Sequence, residues 1–180
     1  MRLFVAIPIP DDLRETFSSF ASGVRGARWV RPDGMHITLY FVGDADEERA
    51  RDLDVELSQI SMPAFDLWRD RFDCFERGSK IKSIWAGVKH SDALFYLHDR
   101  VEAAVVRAGF PREDRKYKPH ITLARLNHAR AEEVGQWIAT HDAMPAAKIS
   151  VDHFTMYQSH LRREGSIYEP LVDYPLTQGH

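Results

Sequence analysis

The chain has 180 residues, an apolar fraction of 44%, a charged fraction of 28% and a net charge of -3. This length allows one sizeable core, or two small lobes that share one, and the composition is ordinary for a globular protein. A protein that grips long stretches of nucleic acid is usually basic, so any such contact here should be local, at an end, a loop or a single nucleotide.

The cysteine content and the first residues exclude further classes. Cys74 has no second cysteine for an intramolecular disulfide and cannot build a cysteine zinc site. The apolar run after Arg2 ends at Pro8 and Pro10, too short for a membrane span, and no small-residue cleavage site follows it. We therefore expect a soluble cytoplasmic protein with no membrane association.

The first part of the chain predicts two helices placed between three strands. Strands are predicted at 2–8, 36–42 and 64–76, because these runs are apolar, β-branched and aromatic. Asp11 is predicted to cap the first helix, and Pro63 to close the second. The apolar faces of these helices are Leu13, Phe17, Phe20 and Val24 in the first and Ala50, Leu53, Leu57 and Ile60 in the second.

The second part repeats this order of elements. Strands are predicted at 83–89, 120–126 and 147–158, with a further candidate at 167–174. One helix runs from Asp92 to Gly109. Another places Val134, Trp137 and Ile138 inward and stops near Pro145.

The tetrapeptide His-Ile-Thr-Leu begins at residue 36 and again at residue 120, on the middle strand of each part. The same tetrapeptide in two matching element strings indicates an internal duplication. We predict an α+β fold, a single domain over 1–180 with two lobes related by a pseudo-two-fold axis. Each lobe has an antiparallel sheet and two helices, and an active-site cleft lies between the sheets. The lobes correspond approximately to 1–78 and 79–180, joined at the turn Gly78–Ser79.

Side chains two apart on a strand share a face, so His36 lies beside Thr38 and His120 beside Thr122. The pseudo-two-fold axis would bring these polar faces together in the cleft. Two imidazoles suit displacement at a phosphodiester, which needs a base on the attacking oxygen and an acid on the leaving oxygen. The threonine hydroxyls would donate to the non-bridging oxygens of the phosphate.

Other interpretations of the same residues remain open at this stage. A single strand histidine is more often structural, and only the paired motifs favour catalysis. A metal site is not expected, because the sequence has no H-E-x-x-H motif and no histidine pair four residues apart. It has neither a G-x-x-x-x-G-K-[ST] loop nor a G-x-G-x-x-G motif, so we expect no cofactor.

Three residues near the motifs are candidates for substrate binding. Tyr40 shares the His36 face if the strand is regular. The loop 111–119 carries Tyr117, which could stack on a base, and Lys118, which could attract phosphate. The alternative for this loop is a solvated surface with no functional role.

The segments HITLYFVG and PHITLAR, with MRLFVAIPIP, SIWAGV and YQSHLRREGSIYEPL, resemble the 2H phosphoesterase family. The chain is similar nearly end to end to its RNA 2′,3′-cyclic phosphodiesterases, also called 2′-5′ RNA ligases or LigT-like proteins. The resemblance implies metal-independent hydrolysis of a 2′,3′-cyclic phosphate to a 2′-phosphomonoester. It also implies that His36 is the acid on O3′ and His120 the base for water, although the pseudo-symmetry allows the reverse.

Arg125 matches the arginine of the H-x-T-L-x-R motif of that family, which implies contact with phosphate or a base. A regular strand would instead turn Arg125 away from His120, unless the strand bends or ends near Ala124. The expected partner is RNA with a 2′,3′-cyclic phosphate terminus, or a cyclic nucleotide, bound by a monomer. Open alternatives are 2′-5′ RNA ligation, a small cyclic phosphate or 2′-5′ oligonucleotide as substrate, and a non-catalytic module that binds RNA ends.

Overall fold

A computed structural model describes residues 1–178, and these form nine β-strands, four α-helices and a 3-10 helix. The strands are β1 (Arg2–Pro8), β2 (Ala27–Trp29), β3 (His36–Asp44), β4 (Phe65–Arg77), β5 (Lys80–Val88), β6 (His120–Leu126), β7 (Lys148–Val151), β8 (His153–Arg162) and β9 (Gly165–Pro175). The helices are α1 (Asp11–Ser19), α2 (Glu47–Ser58), α3 (Asp92–Arg107) and α4 (Ala131–His141), and the 3-10 helix is Pro32–Gly34. None of the helices in this range has the length and apolar character needed to cross a membrane.

The predicted α+β class is confirmed, with differences at the ends of some elements. The N-cap of α1 is Pro10, not Asp11, and α1 ends at Ser19, earlier than its apolar spacing indicated. The strand predicted at 147–158 is two strands that break at Asp152. Strand β2 and the 3-10 helix were not predicted, because each is only three residues long.

The longer helices form where a side-chain cap meets an apolar stripe. The Asp46 carboxylate accepts a hydrogen bond from the Arg49 backbone N–H at the start of α2 (2.8 Å). The Ser91 hydroxyl accepts one from the Leu94 N–H at the start of α3 (3.2 Å). The stripes then bury Leu53 and Leu57 of α2, and Leu94, Leu97, Val101 and Val105 of α3.

The strands form one sheet in the order β7-β4-β5-β6-β3-β1-β8-β9, and β2 pairs with β6. All pairings between the strands are antiparallel. Within the described residues, the central strands β3 and β6 pair only at Ile37–Ile121. The sheet therefore consists of two halves, β7-β4-β5-β6 with β2 and β3-β1-β8-β9, that meet at one residue pair, and the cleft lies between these halves.

Each half of the sheet is covered by two helices. The Phe17 ring of α1 and the Trp137 ring of α4 both pack against Phe72 of β4 (centroids 5.9 and 5.2 Å). The Trp137 Nε1–H donates to the Phe20 carbonyl (2.9 Å) and joins α4 to the end of α1. Helices α2 and α3 pack together, and α3 packs on β3. Each half thus has two helices, as expected, but in different pairs from those that a division near residue 78 implies, since α1 lies with α4 and α2 with α3.

The division of the chain near residue 78 does not match this strand order. Gly78 and Ser79 form the turn between β4 and β5, which pair with each other in the same half. One half holds β4–β7 together with β2, and the other combines β1 and β3 with β8 and β9 from the end of the chain. The two halves are thus interleaved along the sequence. The single domain over 1–180 remains a prediction, and its last two residues lie outside the described range.

Gly26 allows β2 to lie against the end of β6. The Asn127 N–H donates to the Gly26 carbonyl (3.1 Å), and Arg28 then pairs with Arg125 of β6. Gly26 has a φ of 79°, and a Cβ atom added there would lie 2.2 Å from the Asn127 carbonyl oxygen. Only glycine fits this contact, which holds the part of β6 that carries Arg125.

We expect Gly26→Ala to destabilise the fold more than Gly23→Ala. Gly23 also has a positive φ, of 91°, but a Cβ atom there would meet nothing within 4 Å, so it is the matched control. Both variants carry the left-handed backbone cost of about 1–2 kcal/mol, and Gly26→Ala adds the clash. Urea unfolding should give a difference above about 1 kcal/mol between them. Equal losses would show that β2 does not approach Asn127 closely.

Candidate active site

The two His-x-Thr motifs lie on the adjacent strands β3 and β6 and face one cleft. Since the strands are antiparallel and pair at Ile37–Ile121, His36 lies opposite Thr122 and Thr38 lies opposite His120. All four side chains line a cavity of about 610 Å³, and Arg125 lines it as well. This volume is in the range of sites for small molecules and nucleotides.

The His36 imidazole is packed among aromatic rings. Its ring centroid lies 5.0 Å from that of Phe4, 5.2 Å from Tyr168 and 6.0 Å from Tyr157. Burial lowers the pKa of His36 to about 4, and the nearby Arg14 and Arg125 guanidinium groups act in the same direction. A hydrogen bond to the Gly34 carbonyl opposes this shift. His36 is therefore neutral near pH 7 in the free protein.

The His120 imidazole has the same kind of surroundings. Its Nδ1–H donates to the Lys118 carbonyl (2.7 Å), which leaves Nε2 as the nitrogen without a hydrogen. Phe75 and Trp85 pack against the ring, with centroids at 4.9 and 5.8 Å. Burial lowers the pKa of His120, and Arg125 lowers it further. Each histidine thus bonds to the carbonyl two residues before it.

The threonine hydroxyls of the motifs remain available to a ligand. Within residues 1–178, the threonine hydroxyls that make hydrogen bonds belong to Thr16, Thr140 and Thr155. Those of Thr38 and Thr122 therefore have no protein partner in this range. Both side chains are half-buried on the cleft wall, where an O–H can donate to an anion.

A β-bulge in β6 brings Arg125 into the cleft. Thr122 pairs with Trp85 and Ala124 pairs with Ile84, so Leu123 is an extra residue on this strand. The bulge puts Leu123 and Ala124 both on the buried side and returns Arg125 to the face of Thr122. The regular alternation that would have turned Arg125 away from His120 is interrupted at this point.

An equivalent bulge in β3 moves Tyr40 out of the cleft. Thr38 pairs with Ala6 and Tyr40 pairs with Val5, which leaves Leu39 as the extra residue. Tyr40 is buried on the core side, and its hydroxyl donates to the Pro111 carbonyl (3.3 Å). The prediction that Tyr40 faces the cleft is wrong, because it assumed a regular strand.

Phe41 takes the place on the cleft wall that was predicted for Tyr40. Its ring lines the cavity and is 65% exposed. Phe41 follows His36 by five residues, as Arg125 follows His120. The two equivalent positions therefore place an apolar ring on one side of the cleft and a cation on the other.

The side chains of Tyr117 and Lys118 do not line the cleft. The Tyr117 ring stacks on His98 (centroids 4.0 Å), and its hydroxyl donates to the Thr38 carbonyl (2.9 Å). Burial raises the pKa of this hydroxyl. The prediction that Tyr117 stacks on a base is therefore wrong, since its ring is already covered. Lys118 is exposed outside the cavity and contributes only the carbonyl that orients His120.

Sequence reasoning missed the aromatic surroundings of the histidines. Phe4, Phe75 and Tyr157 come from three strands that no motif connects to the cleft. Aromatic residues on strands usually form core, so the sequence held no signal for this role.

Within residues 1–178, no group of three or more His, Cys, Asp or Glu side chains gathers in a way that could hold a metal ion.

Residues 9–163 match a family model described as the 2′-5′ RNA ligase superfamily. A protein of Archaeoglobus fulgidus named RNA 2′,3′-cyclic phosphodiesterase is 30% identical over 174 residues, which cover 95% of this chain and 98% of that protein. A protein of Thermotoga maritima with the same name is 29% identical over 185 residues, covering 99% of this chain and 97% of that one.

Solved structures give the same fold over nearly the whole chain. Escherichia coli LigT complexed with 3′-AMP superposes with a TM-score of 0.79 at 28% identity, covering 98% of each chain. TT0787 of Thermus thermophilus has a TM-score of 0.79 at 24% identity over the full length of both chains. This match shows a shared fold and no more. Because the family model matches residues 9–163 and the Archaeoglobus fulgidus protein is 30% identical, the chain belongs to the 2′-5′ RNA ligase superfamily.

Proposed function

We propose that this protein hydrolyses 2′,3′-cyclic phosphate ends of RNA to 2′-phosphomonoesters, without a metal, by acid–base catalysis from two histidines. The observation that carries the proposal is the pairing of His36 and His120 from two halves of the sheet in one cleft. The relatives named RNA 2′,3′-cyclic phosphodiesterase support the choice of substrate. Arg125 and the Thr38 and Thr122 hydroxyls supply the phosphate contacts.

The reaction is an in-line displacement at phosphorus. One imidazole takes a proton from water as the water oxygen attacks phosphorus on the side opposite O3′. The other, protonated imidazole gives its proton to O3′ as the P–O3′ bond breaks. The product carries a 3′-hydroxyl and a 2′-phosphate. Following the resemblance to the family, we assign the acid to His36 and the base to His120.

Charge on the phosphate increases toward the transition state, and the cleft supplies donors for it. The Thr38 and Thr122 hydroxyls face the same space, one on each side of the cleft. The Arg125 guanidinium adds a positive charge on one rim. Donors held in place before reaction stabilise the developing negative charge without first reorganising.

The lowered pKa values suit a site that binds an anion. In the empty cleft the proximity of Arg14 and Arg125 opposes a second cation at His36. A bound phosphodiester anion adds a negative charge and so raises the pKa of both imidazoles. Substrate binding thereby promotes protonation of the imidazole that acts as the acid.

Ligation to a 2′-5′ bond is the second candidate, because the matching family model carries that name. A ribose 5′-hydroxyl on another strand would replace water as the nucleophile at the same phosphorus. The product would then be a joined strand rather than a 2′-phosphate. Incubation with RNA halves, followed by product analysis, separates the two reactions.

The His36→Ala and His120→Ala variants should each lose about 10²–10⁴-fold in kcat, because each removes one proton transfer. The assay is the opening of a nucleoside 2′,3′-cyclic phosphate to the 2′-monophosphate in the presence of EDTA. His90→Ala is the matched control, since His90 is exposed and pairs with Asp92 away from the cleft.

Full activity in either cleft variant would contradict the two-histidine mechanism. Loss of wild-type activity in EDTA would contradict the absence of a metal. Tight binding of the cyclic phosphate without turnover would instead support a module that only binds RNA ends.

We expect kcat/KM to be greatest below pH 6.5, because this parameter follows the free protein, in which the pKa of both imidazoles is lowered from 6.5. At pH 6.5 and above, both imidazoles are mostly neutral and supply little of the acid. At low pH, where both are protonated, neither supplies the base. The profile of kcat should lie at higher pH, since bound phosphate raises both pKa values. Initial rates across the pH range give both profiles.

Arg125→Gln provides an internal comparison for this prediction. Removing the cation relieves part of the depression of both pKa values, so the kcat/KM maximum should move to higher pH. A wild-type maximum above pH 7 would show that the cleft does not depress the histidine pKa values.

A further inference from the structure

A second groove opens directly from the cleft on the Arg125 side. It has a volume of about 270 Å³ and shares Val30, Gly34, Arg125, Leu161, Ser166 and Tyr168 with the cleft. Its walls are β2 with the segment up to the 3-10 helix, and the end of the β8–β9 hairpin. A polymer whose end occupied the cleft could therefore continue into this groove.

The groove is rich in unpaired positive charge. Four arginines line it (Arg28, Arg31, Arg125 and Arg162) against two carboxylates (Asp33 and Glu164). Within residues 1–178, Arg31 pairs with Asp33 at 3.6 Å, and this pair is exposed, so it contributes little. No ion pair to a carboxylate is formed by Arg28, Arg125 or Arg162 in the same range. This cationic strip lies on a chain whose net charge is -3.

Exposed apolar side chains accompany these arginines. Leu161 is 70% exposed and Ile167 is 42% exposed, and both line the groove. Trp29 lines it as well, with its inner side against Trp137 (centroids 5.5 Å). Guanidinium groups beside apolar surface are the combination that holds single-stranded nucleic acid, by phosphate contacts and base packing.

A third cavity, which shares Leu161 and Arg162 with the groove, carries less positive charge. The third cavity, which reaches the cleft at Arg2, has Arg2, Arg162 and Asp44 as its charged residues, and its His160 is paired with Glu169 (3.0 Å). On the cleft wall near Arg2, the position equivalent to Arg125 is the apolar Phe41. A polyanion leaving the cleft therefore finds more positive charge past Arg125 than past Phe41.

We propose that the groove lined by Arg28, Arg31 and Arg162 binds the RNA backbone on the 5′ side of the terminal nucleotide, which makes oligoribonucleotide ends better substrates than mononucleotides. This inference rests on the proposed function, because it takes the cyclic phosphate to occupy the cleft. A 2′,3′-cyclic phosphate is a 3′ end, so the remaining strand must leave on one side only. The groove is local, which agrees with a chain that is acidic overall.

The test compares a nucleoside 2′,3′-cyclic phosphate with a short oligoribonucleotide that ends in the same nucleotide. The wild type should show a higher kcat/KM on the oligonucleotide. In the Arg31→Gln/Arg162→Gln double variant, the ratio of the two values should fall about tenfold. The slope of log(kcat/KM) against log salt should fall by roughly 1.4 for the oligonucleotide, since two phosphate contacts are lost.

Arg51→Gln is the control for a lost arginine charge, because Arg51 lies on α2 with Glu47 as its partner, outside the cleft and the groove. It should leave the ratio unchanged. An unchanged ratio in the double variant, or no oligonucleotide advantage in the wild type, would overturn the groove assignment while leaving the hydrolase intact. If neither substrate is turned over, the proposed function fails.

Fluorescence anisotropy with a labelled RNA that ends in a 2′-phosphate tests the groove independently of turnover. The double variant should bind this RNA more weakly than both the wild type and Arg51→Gln. Equal affinities for the three proteins would contradict the inference, whatever the activity assay shows.

Discussion

The pairing of Ile37 with Ile121 is the contact on which the cleft depends. It joins the two halves of the sheet and fixes the register in which each histidine faces the threonine of the other motif. A shift of one residue in either strand would turn its whole polar set into the core and bring Ile37 or Ile121 into the cleft. Both isoleucines are fully buried, so the hydrophobic face opposes such a shift.

The two bulges are a second constraint, because they decide which side chains line the rims of the cleft. At Leu39 and at Leu123 the alternation of the strand breaks in the same way, and the residue five positions after each histidine reaches the cleft. The two His-x-Thr motifs thus lie in equivalent places on β3 and β6, but the rims beside them differ. Phe41 makes one rim apolar and Arg125 makes the other cationic, so a nearly symmetric cleft can bind a substrate in one direction.

The sequence was sufficient to predict that His36, Thr38, His120 and Thr122 share one wall of the cleft, but not which residues form the rims beside them. The repeated tetrapeptide placed His36 and His120 on matching strands, and strand alternation then gave Thr38 and Thr122 the same face. Strand alternation misplaced Tyr40 and left Arg125 dependent on a bend in its strand, because the bulges depend on pairing with β1 and β5. The interleaving of the halves could not be predicted either, since β1 pairs with β8, a strand far from it in the sequence.

The aromatic rings packed around each imidazole lower its pKa. A ring beside a histidine removes water, and removal of water disfavours the charged form, which is the largest cause of the lowered pKa at both His36 and His120. Each neutral imidazole is oriented by a hydrogen bond to a backbone carbonyl, that of Gly34 for His36 and that of Lys118 for His120. A bound anion would raise both pKa values, because its negative charge favours the imidazolium form of each ring. In the proposed mechanism, proton transfer is thereby coupled to occupancy of the site, through aromatic packing that lies within each half of the sheet.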